Sequence, residues 1–570
     1  MSNLNIKAKK EHTFDAIVIG SGISGGWAAK ELTEKGLKTV LLERGHELKH
    51  ITGYKTAMMN PWEFKHRGRI TTEQKKHHEF LSRDYPYGEH NASYWFTDSD
   101  APYEEKQGFD WFRPDIKGGR SIMWGRQSYR LSDLDFEANI KEGIAIDWPI
   151  RYKEIAPWYD YVEAFAGISG QKENLAHLPD GKFLPPMEMN CVEKEFKKGV
   201  EGNFENRKIT IGRVAHLTAT KPIHGQRNQC QMRNLCSRGC PYGAYFSTQS
   251  STLPAAQKTG NLTVLVDSVV SEILYDQDQK RATGVRIIDA NTMEVSEFYA
   301  DIIFLNASTI GSASILLNST SKRFPDGLGN DSGVIGRYLM DHQFRYGASG
   351  EAPGFEDQYY FGRRPNGIYI PRFQNLRKNE KRDYLRGFGY QGAASRRDWT
   401  SSVAEIGIGS HFKKKLSEPG MWTMGIGAFG ECLPYKENRV FLNPEKTDKW
   451  GLPTAVFDCG WKENEENMRE DMMNEAADML EASGMKNIQI FDGGSNPGQA
   501  IHEMGTIRMG KDPKESALNK WNQMHEVKNV FVTDGSFMVS SACQNPSLTY
   551  MAFTARAADY AVKELKRGSL

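Results

Sequence analysis

The segment that most constrains this chain is its opening strand–turn–helix–strand pattern. Phe14-Asp15-Ala16-Ile17-Val18-Ile19 is a short apolar run of the kind that a parallel strand buried on both faces requires. It runs into Gly20-Ser21-Gly22-Ile23-Ser24-Gly25, then a helical stretch from Gly26 to about Lys35, then a second strand, Thr39-Val40-Leu41-Leu42, ending in Glu43. Gly20 permits the tight turn, Gly22 leaves bare backbone for a pyrophosphate, and Gly25 lets helix and strand pack closely. Ser24 falls in the first helical turn, where free N–H groups and the positive end of the dipole attract phosphate. Glu43 follows Gly20 at the spacing from which a carboxylate reaches ribose hydroxyls. The pattern specifies a dinucleotide and does not separate NAD from FAD.

Composition narrows the partners. The 570 residues carry 73 Lys and Arg against 72 Asp and Glu, a formal charge of +1, so no broad basic field exists to hold nucleic acid. Mean hydropathy is −0.60 and no run of 18 apolar residues occurs, which excludes a membrane-spanning helix. The lysines near the start, in Met1-Ser2-Asn3-Leu4-Asn5-Ile6-Lys7, are followed by no apolar stretch of signal-peptide type, so a chain working in the periplasm would have to travel with an exporting partner. Seven cysteines form an odd, sparse set, unlike a disulfide scaffold.

Three of them are clustered. Cys230, Cys236 and Cys240 form C-x5-C-x3-C-P within residues 228–244, a loop bearing Gly and Pro. Three thiolates so close in sequence can converge on one inorganic centre, and iron–sulfur clusters use cysteine thiolates, often with Pro after the last. Three local ligands fit a [3Fe–4S] cluster; zinc normally takes four, and no histidine is expected beside the loop to complete such a site. Cys191, 39 residues before Cys230, is not counted as a fourth ligand.

Residues 46–110, rich in aromatic and charged side chains, read as an irregular excursion that covers the cofactor or lines its entrance. Leu262–Val266 and Gly284–Ile288 read as strands, with Val266 near the adenine. Between Arg345 and about Ile490 small and large residues alternate, as in Gly407–Phe412 and Trp422–Phe429, which suits an antiparallel sheet with one face over a ligand. A helix is expected over about Glu463–Ala482. Asn529–Gly535 reads as a buried strand ending in Asp534-Gly535, followed by Gln544-Asn545-Pro546-Ser547-Leu548-Thr549 and a helix to about Lys566.

The C-terminal segments, with Ile501-His502-Glu503-Met504-Gly505-Thr506 upstream, resemble the signature of the glucose–methanol–choline (GMC) oxidoreductases. Gly118-Gly119-Arg120-Ser121-Ile122-Met123-Trp124-Gly125, Asn306–Ser312 and Gly336–His342 extend the similarity in family order over most of the chain. The resemblance implies an α/β fold: a discontinuous Rossmann-like FAD domain over 1–340 and 496–570, and an antiparallel-sheet substrate domain over 341–495, of the p-hydroxybenzoate hydroxylase-like type. It implies FAD contacts at Gly118, Gly119, Ser121, Trp124, Asp534, Gly535, Asn545, Pro546 and Thr549. It also implies that His502 and Asn545 face the flavin as a catalytic pair. The chemistry of the two side chains agrees, because alcohol oxidation needs a base working near neutrality and a carboxamide can fix the oxygen without competing for its proton. Some sugar oxidases of the family attach FAD through a histidine in the Gly-rich segment; Ser121-Ile122-Met123-Trp124 has none, so non-covalent FAD is expected.

The cysteine spacing is similar to that of the family's bacterial sugar dehydrogenases, in which a [3Fe–4S] cluster takes electrons from the flavin. That implies a dehydrogenase serving a cytochrome c or quinone, with a small subunit carrying the export signal. Oxidation of a glucoside at C3 is the reading of first choice, with glucose C1 or gluconate oxidation as alternatives. An oxygen-using pyranose oxidase, a lyase with structural FAD and a non-catalytic electron carrier stay open.

Overall fold

The computed structural model describes residues 12–358, 364–376, 381–396, 407–418 and 420–570. Residues 1–11, on which the reading of the leader rests, lie outside them.

The opening pattern forms as the residues dictate. Strand β1 (Thr13–Ile19) enters the Gly20 turn, helix α1 (Ile23–Glu34) begins earlier than the apolar periodicity implied, and β2 (Thr39–Leu42) returns parallel to β1. Their apolar side chains are fully buried from Ala16 to Val18 and at Val40 and Leu41, because this sheet is covered on both faces. The sheet grows outward from β1. On one side stand β2 and β5 (Leu262–Leu265); on the other stands the long β8 (Val295–Leu305). The C-terminal half of β8 also pairs in parallel with β16 (Val530–Val532), and its N-terminal half with the antiparallel hairpin β6 (Ser268–Asp276) and β7 (Arg281–Asp289).

The C-terminal α7 (Ser547–Lys566) packs on α1 and β8, and α2 (Tyr152–Ala166) packs on α7. Ala557, Ala558, Ala561 and Val562 of α7 meet Ala28, Ala29 and Leu32 of α1 in one buried cluster, so the ends of the chain are packed together through small side chains. Helix α5 (Thr309–Asn318) follows β8, repeating the strand-to-helix step of β1 and α1.

A second sheet is antiparallel throughout, in the order β15 (Lys486–Asp492), β9 (Gln343–Ala352), β12 (Trp422–Gly430), β11 (Phe388–Arg396), β10 (Ile368–Ile370) and β4 (Thr210–Ile211). Two helices cover one face. In α6 (Glu463–Ala482), Met468, Met472, Ala476 and Met479 recur at helical spacing; in α3 (Cys191–Asn203), Val192, Phe196 and Val200 do the same. All seven belong to one core with Met424, Ile426 and Tyr390 of the sheet. A small third sheet joins β13 (Arg439–Thr447) and β14 (Pro453–Asp458) to β3 (Glu104–Glu105) of the 46–110 excursion. Thus β4 reaches the second sheet from outside the 341–495 span, while β13 and β14 pair elsewhere.

The expected strand at Gly407–Phe412 is not one. Gly409 takes a left-handed φ of 94° and starts a helix, Ser410–Ser417. The alternation there is only two residues long before the polar, unalternating Ser410-His411-Phe412-Lys413-Lys414 takes over.

The three glycines of the opening turn do different work. Gly20 has φ +91°, and a Cβ on it or on Gly25 would strike backbone, Asn306 in the first case and the Gly20 carbonyl in the second. A Cβ on Gly22 would meet nothing. Gly25→Ala is therefore expected to lower unfolding free energy by on the order of 3 kcal/mol. Gly22→Ala should leave the stability of the cofactor-free protein unchanged. Thermal or denaturant unfolding of both variants checks the contrast.

Candidate active site

A cleft of about 320 Å³ opens at the C-terminal ends of the first sheet's parallel strands, with Leu442, Thr454 and Ala455 of the third sheet also lining it. Gly20, Gly22 and Ser24 line it, with Glu43, Gly119, Ser121, Trp124, His502, Asp534, Gly535 and Asn545. The residues fit a dinucleotide. Helix α1 starts at Gly22 with no side-chain cap, and that glycine leaves open space where a Cβ would stand. Bare backbone and unbonded first-turn N–H groups are what a pyrophosphate requires.

Other expected cofactor residues take structural parts. The Glu43 carboxylate accepts from Ser21 N at 2.9 Å, Ser21 Oγ at 2.5 Å and Gly45 N at 2.7 Å, so it braces the turn while lining the cleft. Gly118 N donates to Ser21 Oγ at 2.7 Å, tying the second Gly-rich segment to the first. Asp534 accepts from Ser312 Oγ at 2.5 Å and Ser536 N at 3.0 Å, and burial raises its carboxyl above the usual range. Gly25 packs on Gly20, Pro546 precedes α7, and Thr549 is buried against the Tyr159 hydroxyl at 2.8 Å; none of these three lines the cleft. Val266 does not line it either; Ser268, Val269, Val270 and Ser271 do, because the strand ends at Leu265 and the chain turns before entering β6.

His502 and Asn545 are brought together from positions 43 residues apart, with Asn545 Nδ2 3.2 Å from His502 Nε2. The Asn545 carbonyl oxygen accepts from Gln391 Nε2, on β11, at 2.5 Å. The backbone that carries His502 is held by one carboxylate. Asp341 Oδ1 accepts from His502 N at 3.0 Å, and Oδ2 accepts from Gly498 N at 2.7 Å and Ala500 N at 3.1 Å. Ile501, immediately before the histidine, sits at φ 59°, costly for a β-branched residue and sustained by this clamp. Burial holds the His502 imidazole well below its usual pKa, with His342 and Arg120 adding in the same direction, so at neutral pH it is a free base.

Four side chains here were not singled out from the sequence. His342 Nδ1 is 2.8 Å from His502 Nδ1, Arg120 Nη1 pairs with Glu503 at 2.6 Å, and Gln391 holds Asn545. The Asp341-His342 pair lies at the entry into β9, and its position at the expected domain crossing was the available signal.

Cys230, Cys236 and Cys240 share a partly buried loop and stand close enough to influence one another's ionisation. Burial pushes the Cys230 thiol up to about 11 and raises that of Cys236. Among the described residues no group of three or more His, Cys, Asp or Glu side chains is arranged around a single metal ion, this trio included. A histidine does stand beside the loop, contrary to the sequence reading: His216 Nε2 is 3.7 Å from Cys236 Sγ, and Asn366 Nδ2 lies 3.4 Å from the other ring nitrogen. Cys191 opens α3 and packs at the edge of the second core. The loop abuts the Gly-rich segment of the cleft, since the Tyr245 hydroxyl donates to Ile122 O and lies 3.2 Å from Cys236 O.

Comparison with known proteins agrees with this geometry. Two family models described as GMC oxidoreductase match, one over residues 57–344 and one over 434–554. The 2-methyl-1,2-propanediol dehydrogenase of Mycolicibacterium austroafricanum is 30% identical, over 96% of this chain and 94% of that one. The fructose dehydrogenase large subunit of Gluconobacter japonicus is 23% identical over the whole of both chains. The crystal structure of pyridoxine 4-oxidase from Mesorbium loti superimposes with a TM-score of 0.59 at 16% identity, covering 96% of this chain and 98% of that one, which shows the shared fold. The chain belongs to the GMC oxidoreductase family, flavoenzymes that act on CH–OH groups.

Proposed function

We propose that the chain is an FAD-dependent dehydrogenase of a sugar hydroxyl, with C3 of a pyranoside as the carbon oxidised. The observation that carries this reading is the His502–Asn545 pair, held at 3.2 Å on the cleft that also takes the glycine turn. A substrate hydroxyl entering between the two would accept from the Asn545 N–H and donate to His502 Nε2. The base takes the hydroxyl proton as the carbinol hydrogen departs with its electron pair, leaving a carbonyl. When bound, FAD supplies the two-electron acceptor for that hydride. Keeping the imidazole neutral and dry preserves its lone pair for the incoming proton, and the amide anchors the oxygen as charge develops on it.

Carbohydrate is supported by the wall next to the pair. Phe429 lies 5.8 Å from the His502 ring, Phe344 lies tilted beside Phe429 at 5.0 Å, and Tyr85 lies 5.3 Å from Phe344. Aromatic faces suit the CH faces of a pyranose, and of these rings Tyr85 lines the cleft, where the Asn545 amide offers a polar tip to a hydroxyl. The names of the two relatives, a diol dehydrogenase and the large subunit of a fructose dehydrogenase, support dehydrogenation over oxygen reduction.

The cysteine loop supports a further part of the reading. Cys230, Cys236 and Cys240 would hold a [3Fe–4S] cluster, which supplies one-electron acceptance at a site adjoining the flavin cleft. What supports the cluster is the C-x5-C-x3-C-P spacing on one partly buried loop, with His216 Nε2 3.7 Å from Cys236 Sγ. The electrons would pass on to a cytochrome c or quinone. The "large subunit" in the relative's name supports a small subunit here as well, whose export signal would take both to the periplasm.

Anaerobic mixing of the flavin-loaded protein with a panel of pyranosides should bleach the flavin, with NMR showing a 3-keto product; a flavin that stays oxidised with every sugar rejects the reading. His502→Ala should slow bleaching by about 100-fold or more. Unfolding should release all the flavin into solution, since no covalent anchor is expected. Iron and sulfide analysis with EPR of the oxidised protein should report a three-iron cluster, and replacing Cys236 by Ser should remove its signal while flavin remains.

A further inference from the structure

Resting on the reading of His502 as the base, one more residue takes a part in the reaction. His342 lies fully inside the protein, behind His502, and is not itself among the residues that line the cleft. Its two ring nitrogens have different partners: Nε2 stands 2.6 Å from the carbonyl oxygen of Ala542, and Nδ1 stands 2.8 Å from His502 Nδ1.

The carbonyl sets the direction of the whole chain of hydrogen bonds. A carbonyl only accepts, so His342 Nε2 carries the hydrogen. A neutral imidazole has one N–H, so His342 Nδ1 offers a lone pair, and His502 Nδ1 must donate to it. That leaves His502 Nε2 as the nitrogen without a hydrogen, on the side where Asn545 Nδ2 already donates at 3.2 Å. We propose that His342 is a positioning residue, locking His502 in the tautomer whose Nε2 lone pair meets the substrate hydroxyl.

Burial pushes the His342 pKa down to about 4, so the lock holds at neutral pH. Protonation of His342 would set two N–H groups against each other and force His502 into the opposite tautomer, with no lone pair left for the substrate. The partner is a neutral imidazole rather than a carboxylate, so once His502 gains its proton nothing beside it fixes the positive charge, and the proton leaves readily. The charged and titratable groups around the pair are few. Arg120 is paired with Glu503, and Asp341 clamps the His502 backbone. The Tyr550 hydroxyl donates to the Glu503 carbonyl, and Tyr85 lines the same cleft.

The test compares His342→Leu, His342→Gln and His342→Asp in flavin-loaded protein, by anaerobic flavin reduction with sugar across the acid and neutral range. Nitrogen-15 NMR of histidine-labelled, flavin-free protein reports the His502 tautomer, its signal identified by its absence in His502→Ala. His342→Leu should slow reduction by about 100-fold at little change in KM, and shift His502 to a mixture of tautomers. The Gln carbonyl still accepts from Nδ1, so His342→Gln should recover to within about tenfold of the parent. The Asp carboxylate should hold the imidazolium and move the acid limb of the pH profile up by about one unit or more. A Leu variant with the parental rate and tautomer overturns the proposal. If that variant does not fold, an Asp variant whose acid limb stays in place overturns it. His502→Ala separates the two levels. If it still bleaches its flavin normally, the base assignment itself falls; if it is inactive while the His342 series is unchanged, only the positioning role falls.

Discussion

The site depends on one buried carboxylate. Asp341 stands where the chain leaves the first sheet for β9, and its two oxygens take three backbone N–H groups from the loop that presents His502. One residue earlier, Met340 and Met504 exchange both backbone hydrogen bonds at 2.9 Å, so the crossing and the loop are stitched together side by side. Turns of irregular backbone are normally mobile, because nothing rigid satisfies their polar groups. Here a residue at a strand entrance satisfies them, and the imidazole inherits the stiffness of the sheet. The left-handed Ile501 is tolerable only under such a clamp.

Dryness is the second theme, and it acts with opposite signs on acids and bases. Burial moves His342 from 6.5 down to about 4 and Asp341 from 3.8 up to about 7. The histidine contributes stability that is present above its unfolded value, near 6.5, and is lost as pH falls toward about 4. The aspartate works the other way: it favours folding at low pH, and that contribution disappears as pH rises through about 7. The two slopes partly cancel between those values. The centre thus keeps neutral imidazoles for chemistry without making the fold sharply acid-sensitive through them.

Much of this was legible in the sequence where structure is local. The glycine turn, β2 and the parallel strand at the C-terminal Asp-Gly follow from short-range patterns. The bounds of α6 matched because a capping turn of acids and a methionine stripe lie on one helix. What stayed hidden is non-local. His342 meets His502 across 160 positions, and His216 reaches Cys236 from 20 residues upstream, contacts that no spacing rule encodes. The strand read over Leu262–Val266 ends one residue sooner, at Leu265. Gly407–Phe412 failed because two alternating residues are too few to define a period.

The pairing of β8 with β16, and the packing of α7 onto α1, carry a consequence for biogenesis. Roughly 500 residues separate β1 from β16, and at ribosomal speeds that interval lasts roughly 25 to 100 s. For the whole of it α1 carries an uncovered alanine face, and over its last roughly 225 residues, about 11 to 45 s, the nascent Rossmann half also has an unpaired strand edge at β8, while the amide that completes the catalytic centre is still untranslated. Chaperone shielding of that open edge, rather than early cofactor capture, is what the topology demands of the cell during synthesis.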